Sequence, residues 1–502
     1  GVTRHAYLGK DMPTWMSDIS GLIDAHSPDL WFLSYVCLEI LAVTLVIDAV
    51  MKSRTSQGAV AWSVALIAMP LVVVPAYLMF GQRRFQGYVR ALREGNIKLR
   101  QLAQFVIAEM HAKYQPQGDI GSDWPSGKVL EQLATMPFTR GNETHLLVDG
   151  EQTFNAIFDA IEQAKDYILV QFYILRDDRL GVLFQQKLIE RAAAGVRIYL
   201  MYDSIGSYGL SRRYRRQLHR AGIKAVAFRT KPINFLGRLQ INFRNHRKIV
   251  VVDGEKAFLG GLNVGDEYLG RHRRLTPWRD THLVIQGPAV QAAQLCFLED
   301  WHWLTDTLPA LNWRAETRPA NQTLLVLPTG PADETETCQL MFVQAINSAQ
   351  SRLWIVSPYF VPDEPVMKAI KLAAFRGVDV RILIPGLADR KVVQLSGYAH
   401  VVDTDIDGVS FFSYDRGFLH QKVLLVDDDT TYIGSANLDN RSFRLNFELT
   451  VITRDRAFAS EVEEMLVEDF SHSHEISSAQ LLQRSYLFLV AARMARLFSP
   501  LQ

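Results

Sequence analysis

Apolar positions along this chain follow different periods in different regions. Ala59–Phe80 is a run of 22 residues without a charged side chain. At ~1.5 Å per helical residue it is long enough to cross a hydrocarbon core of ~30 Å. Pro70 and Pro75 lie inside it and predict kinks, which membrane helices tolerate. Trp31–Val50 is a second apolar run, interrupted by Glu39 and Asp48. Asp48 sits near an end; Glu39 falls near the middle and needs a partner or a proton. The pattern predicts a transmembrane hairpin with helices about 31–50 and 59–80 in an N-terminal region 1–100. The close succession of two runs argues against a cleavable signal peptide. A buried hairpin of a soluble protein would show similar apolarity, but length and lack of charge favour spanning.

After a helical and then loop-like linker, 101–140, short apolar strands alternate with helices. The linker should pack on the first of two copies of one unit. Copy one, 141–320, reads as a helix at Phe154–Ala164, a strand at Tyr167–Ile174, a helix at Leu183–Ala194 and a strand at Val196–Tyr202. Copy two, 321–476, repeats this as Cys338–Ala349, Leu353–Phe360, Glu364–Phe375 and Val378–Pro385. Local echoes support a duplication: AAAGVRIYL against AAFRGVDVRILI, and VQFYIL against VSPYFVP. Such alternation predicts parallel α/β sheets. The last stretch, 477–502, reads as an amphipathic segment, suited to a membrane interface or to packing on the fold.

Composition adds limits. The chain has 502 residues, 48% of them hydrophobic, and a net charge of +1, which gives no global case for nucleic-acid binding. Cys37, Cys296 and Cys338 are far apart and form neither a disulfide framework nor a zinc motif. Basic residues are concentrated after Phe80 (Arg83, Arg84, Arg90, Arg93, Lys98, Arg100), which places the large C-terminal region in the cytoplasm. Lys52 and Arg54 between the two runs pull the other way. A second basic cluster runs from Arg212 to Arg244, with Tyr214, Phe228, Phe235 and Leu236 interleaved. It reads as a solvated helix face, a nucleic-acid surface or a grip on anionic phospholipid; the hairpin favours lipid, with Pro232–Leu239 dipping into the interface.

The chemistry sits in a motif that occurs twice: H-x-K, four residues, D, six residues, G-[GS]-x-N. The first copy is His246, Lys248, Asp253, Gly260 and Asn263; the second is His420, Lys422, Asp427, Gly434 and Asn437. Each H-x-K opens an apolar run read as a strand, so its His and Lys should project together. A neutral imidazole can attack phosphorus or move a proton, and a lysine beside it supplies charge for phosphate oxygens. The glycines would let backbone approach a ligand, and the asparagine amides would donate to its oxygens. Ser435 offers a hydroxyl that copy one, with Gly260-Gly261, lacks. Asp253 and Asp427 belong to the catalytic motif but read mainly as strand terminators. A lone motif could be a strand with a buried His and a snorkelling Lys; two copies with identical spacing argue against that.

These paired motifs resemble the HKD signatures of the phospholipase D superfamily, over most of the chain after about Leu146. With the hairpin, the arrangement resembles bacterial cardiolipin synthases. The resemblance implies two tandem phospholipase D-like α/β sandwich units forming a pseudo-twofold catalytic core, with both motifs in one site. It implies that Asp280 and Glu448, each on a strand-like run after its motif, hydrogen-bond the imidazoles. It implies transfer of a phosphatidyl group between two phosphatidylglycerol molecules, giving cardiolipin and glycerol through a phosphatidyl-histidine, with His246 as nucleophile. Cofactors and metals are not expected, since lysines and amides can neutralise the phosphate. The expected setting is multi-pass in the bacterial inner membrane, with no nucleic-acid partner and a homo-oligomer possible but not required. A loop in copy one holding Tyr268, Arg271, Arg273 and Arg274 is a candidate head-group reader. The motifs alone leave open a hydrolytic phospholipase D, a nucleic-acid phosphodiesterase and a membrane-anchored anionic-lipid scaffold.

Overall fold

The computed structural model describes residues 14–53, 56–81, 97–116, 124–228 and 242–499. The segment Pro232–Leu239 and the residues Arg54, Arg83, Arg84, Arg90, Arg93, Arg229 and Lys231 lie outside them. The chain divides into an N-terminal unit, residues 1–83 with 234–242, and a large unit formed by 84–233 and 243–502.

In the N-terminal unit, helix α1 (Thr14–Lys52) contains an apolar stretch, Trp31–Lys52, long enough to cross a membrane. The expected second span is broken. Helix α2 (Ser56–Ala68) ends at Met69, and α3 (Pro70–Phe80) begins at the proline. Pro70 has no N–H to donate and its ring pushes Met69 out of the helical region, to φ −142° and ψ 58°. Among the described residues only α1 has spanning length by itself. Ala42, Ala49, Leu66, Val74 and Tyr77 pack these helices together. Tyr77 donates to Asp48 at 2.9 Å, so this intrahelical carboxylate has a partner as well as Lys52.

The large unit begins with α4 (Ile97–Tyr114) and α5 (Pro125–Ala134). Copy one follows: β1 (Thr139–Val148), α6 (Asp149–Gln163), β2 (Tyr167–Phe172), α7 (Arg179–Ala193), β3 (Arg197–Asp203), α8 (Arg212–Arg220), β4 (Lys224–Phe228), β5 (Arg244–Asn245), β6 (Ile249–Val252), β7 (Lys256–Gly260), β8 (Trp278–Arg279), β9 (Thr281–Gln286) and α9 (Ala289–Thr305). Copy two has β10 (Gln322–Thr329), α10 (Thr337–Ser348), β11 (Arg352–Val356), β12 (Phe360–Val361), α11 (Glu364–Phe375), β13 (Asp379–Pro385), α12 (Lys391–Asp403), β14 (Val409–Tyr414), β15 (Phe418–Leu419), β16 (Val423–Val426), β17 (Thr430–Gly434), β18 (Leu438–Asp439), α13 (Asn440–Arg444), β19 (Asn446–Arg454), α14 (Arg456–Ser471) and β20 (Ser473–Ile476).

The main sheet runs β20-β14-β13-β11-β16-β17-β19-β10-β1-β9-β7-β6-β2-β3-β4. The order is palindromic about the β10–β1 seam, where the two copies pair antiparallel. Each copy is mixed rather than parallel. Strands β2, β3 and β4 are parallel, as are β11, β13 and β14, because helices connect them. The motif strands β6 and β16 join antiparallel to their hairpin partners and to β2 and β11. The linker also differs from expectation. Helix α5 packs on α10 and β10 of copy two, with Gln344 donating to Ser126 at 3.0 Å and Arg454 lying over Trp124. It is α4 that packs on copy one, through β1 and α9.

Helix α8 buries Tyr214 and Leu218 and exposes Arg212, Arg213, Arg216 and Arg220, a solvated basic face. The C-terminal helices α15 (Ser478–Leu482) and α16 (Tyr486–Arg496) pack on α12, with Ala492 and Ala495 buried. Tyr486, Leu487, Val490 and Met494 remain exposed on the same segment.

Asp253 and Asp427 close the hairpins at the ends of β6 and β16. Both have positive φ, 54° and 52°, which aspartate tolerates. Asp253 accepts from the backbone N–H groups of Lys165, Asp166 and Tyr167 at 2.8 Å. Asp427 accepts from those of Gln350, Ser351 and Arg352. A carboxylate taking several backbone donors is a strong local clamp, so Asp253→Ala and Asp427→Ala should each destabilise the large unit by ~1.5–3 kcal/mol. Thermal unfolding of the full chain in detergent checks this. A melting temperature unchanged from wild type in both variants would refute the clamp.

Candidate active site

The tripeptides His246-Arg247-Lys248 and His420-Gln421-Lys422 precede their strands instead of opening them. They lie where the backbone changes partner. Arg244 and Asn245 pair with Asn446 and Phe447 of copy two, and His246 N–H donates to the Phe447 carbonyl at 2.9 Å. Phe418 and Leu419 pair with Trp278 and Arg279 of copy one, and His420 N–H donates to the Arg279 carbonyl at 2.7 Å. Each motif therefore reaches into the other half before entering its own sheet.

That exchange places each imidazole against the opposite copy's carboxylate. His246 Nδ1 lies 2.8 Å from Glu448, and His420 Nδ1 lies 2.7 Å from Asp280. An ionised carboxylate only accepts, so Nδ1 carries the proton and the lone pair is left on Nε2. Burial pushes His246 down to about 4, overcoming the opposing pull of Glu448. Burial and the Lys422 charge also lower His420. Burial alone would raise Glu448 and Asp280, but the imidazoles, lysines and hydrogen bonds around them outweigh it and hold both below the usual carboxylate range.

The lysines sit behind the histidines. Lys248 Nζ donates to the His246 carbonyl at 2.6 Å, and Lys422 Nζ contacts the His420 carbonyl and lies 2.9 Å from Nδ1. Both are buried, and neither lines the cavity. In copy two the expected neighbourhood of His and Lys is seen directly, with the ammonium beside the imidazole's Nδ1 rather than on the cavity surface. Burial lowers Lys248 to about 7 and Lys422 to about 8, against the pull of Glu448 and Asp280 respectively.

Both imidazoles open on a cavity of about 330 Å³, lined by residues of both copies. Asn263 and Asn437 line it too. Asn263 is held by Ile174 N–H and donates to the Tyr268 hydroxyl at 3.0 Å; Asn437 donates to Asp439 at 3.3 Å. Gly260 and Gly434 do not face it. A Cβ at either would collide with the neighbouring strand, at Thr281 and His282 or at Leu449 and Thr450. Ser435 is also behind the wall. Its hydroxyl donates to Glu448 at 2.6 Å and accepts from Leu449 N–H at 2.9 Å. Asp253 and Asp427 lie at the far ends of the motif strands and are absent from the lining. Of the loop residues, Tyr268 lines the cavity with Glu267, His272 and Leu275; Arg271, Arg273 and Arg274 do not.

Several cavity residues carried no local sequence signal. Tyr173 packs edge-on against His246 and Trp278 packs tilted against His420, each 5.0 Å between ring centres. Arg176, Arg244, Arg390 and Arg441 bring positive charge to the wall. The middle residues of the motifs turn to the core. Arg247 pairs with Asp300 and donates to the Glu448 and Thr329 carbonyls, while Gln421 donates to Asp469. Among the described residues no group of His, Cys, Asp and Glu is arranged to hold a metal ion.

The carboxylates are held differently in the two halves. Glu448 accepts from Ser435, from Ser442 at 2.9 Å and from Asn446 at 3.1 Å. Asp280 accepts from Thr281 N–H at 2.8 Å and from Trp278 Nε1 at 3.3 Å. Its Oδ1 occupies the space a Cβ on Gly261 would need. The shorter acid thus fills the place of the serine hydroxyl, and takes the equivalent N–H. Gly261→Ala should displace Asp280 and lower turnover by ~10²-fold or more, the scale of losing an imidazole's partner. Ser435→Ala removes one of several donors to Glu448 and should cost about tenfold or less. Steady-state rates of both variants check this ranking; the reverse order would refute it.

The chain matches the family described as "Cardiolipin synthase, PLD-like domain" over residues 157–301 and 342–470, one match in each copy. Residues 40–82 match the N-terminal family of phospholipase D-nucleases. Cardiolipin synthase A of Pseudomonas putida strain F1 is 45% identical over 488 residues, covering 95% of this chain and 100% of that one. Cardiolipin synthase A of Pseudomonas aeruginosa strain LESB58 is 46% identical, covering 93% and 96%. The crystal structure of a phosphatidylserine synthase from Haemophilus influenzae Rd KW20 superposes with a TM-score of 0.58 at 15% identity, covering 75% of this chain and 100% of that one, a likeness of fold. With both copies matched and this identity along nearly the whole length of its relatives, the chain is an enzyme of the phospholipase D-like cardiolipin synthase family, associated with the membrane.

Proposed function

We propose that the protein joins two phosphatidylglycerol molecules into cardiolipin and releases glycerol, through a phosphatidyl-histidine. The observation that carries this reading is the pair of imidazoles, each backed by a buried carboxylate, opening on one cavity. His246 Nε2, with its lone pair free, attacks the donor phosphorus while His420, entering the step as an imidazolium paired with Asp280, gives its Nε2 proton to the leaving glycerol oxygen and becomes neutral. A covalent intermediate divides one difficult displacement into two easier ones. In the second step His420 takes the proton from the acceptor's head-group hydroxyl, whose oxygen displaces His246 from phosphorus. Glu448 and Asp280 fix the tautomers and stabilise the imidazolium that each step creates. Lys248 and Lys422 act on developing phosphate charge through the low-dielectric wall, and Asn263 and Asn437 position the phosphate.

The finer placement belongs to the same reading. Helix α1 and the broken α2–α3 pair form a two-pass hairpin in a bacterial inner membrane, with the large unit on the cytoplasmic side. Asp48 and Tyr77 supply each other's polar partner inside it. The two copies complete a site within one chain, so the chemistry does not call for an oligomer.

Labelled phosphatidylglycerol in mixed micelles, analysed by lipid mass spectrometry, tests the reaction. Cardiolipin plus free glycerol is expected, and His246→Ala and His420→Ala should each abolish both. Phosphatidic acid as the sole product would make the enzyme a hydrolase.

The pH profile of kcat/KM gives a second check. His246 has to be neutral to attack and stays so well below the ordinary ~6.5, so the acid limb should lie under that value, towards about 4. His420 has to carry a proton to serve as the acid and is lowered by burial and Lys422, and the buried lysines lose their protons near about 7 and about 8, so the alkaline limb should lie in or below that range. An alkaline limb at the ordinary lysine value of ~10.4 would remove the lysines from the charge-stabilising role.

A further inference from the structure

The cavity wall is not symmetric. Two residues before His420 stands Phe418, and two before Asp280 stands Trp278; their rings lie 4.8 Å apart and both pack on His420. At the matching positions beside His246 stand Arg244 and Asn446. Arg390 and Arg441 line the same cavity, and the charges of all three arginines act on Tyr173, the ring that packs on His246. Burial pushes the Arg441 guanidinium below its ordinary value, and Arg244 and Arg390 push it the same way, against the pull of Asp439. Asp389 accepts from the Tyr359 hydroxyl at 2.7 Å, and Arg176 pairs with Glu267 at 3.1 Å. Asp389 keeps its charge and Asp439 stands beside Arg441, so three guanidiniums face two carboxylates and one positive charge is left over on the His246 side.

Three guanidiniums with only two carboxylates among them attract a further anion, and their planar forks suit a phosphodiester. The reacting phosphorus has to sit between the two imidazoles, within reach of both. Cardiolipin carries a second phosphate, one glycerol away from the first. We propose that Arg244, Arg390 and Arg441 form a second phosphate subsite beside His246, which holds the phosphodiester of the acceptor lipid while its free hydroxyl attacks.

The inference rests on the transfer reaction proposed above and specifies its acceptor. In the second step the phosphorus–nitrogen bond to the imidazole breaks and a phosphorus–oxygen bond to the acceptor forms. The hydroxyl proton passes to the other imidazole. Water and glycerol carry no phosphate and gain nothing from the arginines. A phosphate-bearing acceptor is anchored with its hydroxyl near the intermediate, which raises its effective concentration there.

The test compares two reactions of the full chain in mixed micelles with phosphatidylglycerol. One is exchange of labelled free glycerol into phosphatidylglycerol, which uses a phosphate-free acceptor. The other is cardiolipin formation. For Arg244→Gln, Arg390→Gln and Arg441→Gln, cardiolipin formation should fall at least tenfold more than exchange, with the loss in the KM for the acceptor. Arg390 is exposed, so its variant carries the test where the half-buried Arg441→Gln does not fold. Parallel loss of both reactions, or no loss of either, would overturn the subsite. Wild-type enzyme giving neither exchange nor cardiolipin would instead overturn the transfer reaction itself.

Discussion

Each catalytic imidazole takes its carboxylate from the other half of the chain, and the rest of the large unit is arranged to permit this. A buried carboxylate is stable as an anion only when charges and donors surround it. Glu448 and Asp280 take hydrogen bonds from their own copy but gain their imidazole partners only with both copies present, because His246 and His420 arrive from across the seam. The backbone crossings at Arg244–Asn245 and Phe418–Leu419 bring them there. The middle residues of the motifs reinforce the same joint. Arg247 of copy one donates to carbonyls of copy two, and Arg279, on β8, binds Asp469 on α14 at 2.8 Å. One copy alone would hold an imidazole without its acid and an acid without its imidazole.

The sequence was legible where spacing has one meaning. The doubled motif, the two copies and the acids Asp280 and Glu448 all follow from pattern and resemblance. Reading failed where an inferred secondary structure was used to aim a side chain. His and Lys stand close to each other as the spacing implies, but each ammonium bonds its own histidine's carbonyl behind the wall, so neither lysine lines the cavity. The glycines were read as making room for a ligand, whereas they make room for the adjacent strand. Ser435 was read as a phosphate contact, although its hydroxyl is used up by Glu448 and Leu449. Tyr173, Arg390 and Arg441 come from turns and helix starts far apart in sequence, and only the tertiary fold unites them.

The Gly261–Asp280 and Ser435–Glu448 pairs show how a duplicated site can diverge without losing function. A longer acid needs a hydroxyl to anchor it, and a shorter one fills that hydroxyl's place itself. A change at Gly261 meets the Asp280 carboxylate directly, whereas Glu448 keeps Ser442 and Asn446 if Ser435 changes. The same backbone N–H, from Thr281 or Leu449, finds an acceptor in both arrangements, so the buried polar count stays balanced.

Symmetry at the histidines and asymmetry around them answer different demands of a two-step transfer. Both steps need an attacking nitrogen and a proton carrier on opposite sides of one phosphorus, which a twofold pair supplies. The partners of the two steps are not alike, however. A glycerol leaves in one, and a charged lipid of the same kind as the donor enters in the other. A twofold wall would treat the two sides of the phosphorus equally and could not favour lipid over water. Replacing Phe418 and Trp278 on one side by Arg244 and Asn446 on the other breaks that equivalence at the positions two residues before each reactive pair. The apolar side encloses the imidazole in rings that exclude water, and the cationic side leaves a place for a second phosphate. On the proposed mechanism, selectivity rests on where the two copies differ, and chemistry on where they agree.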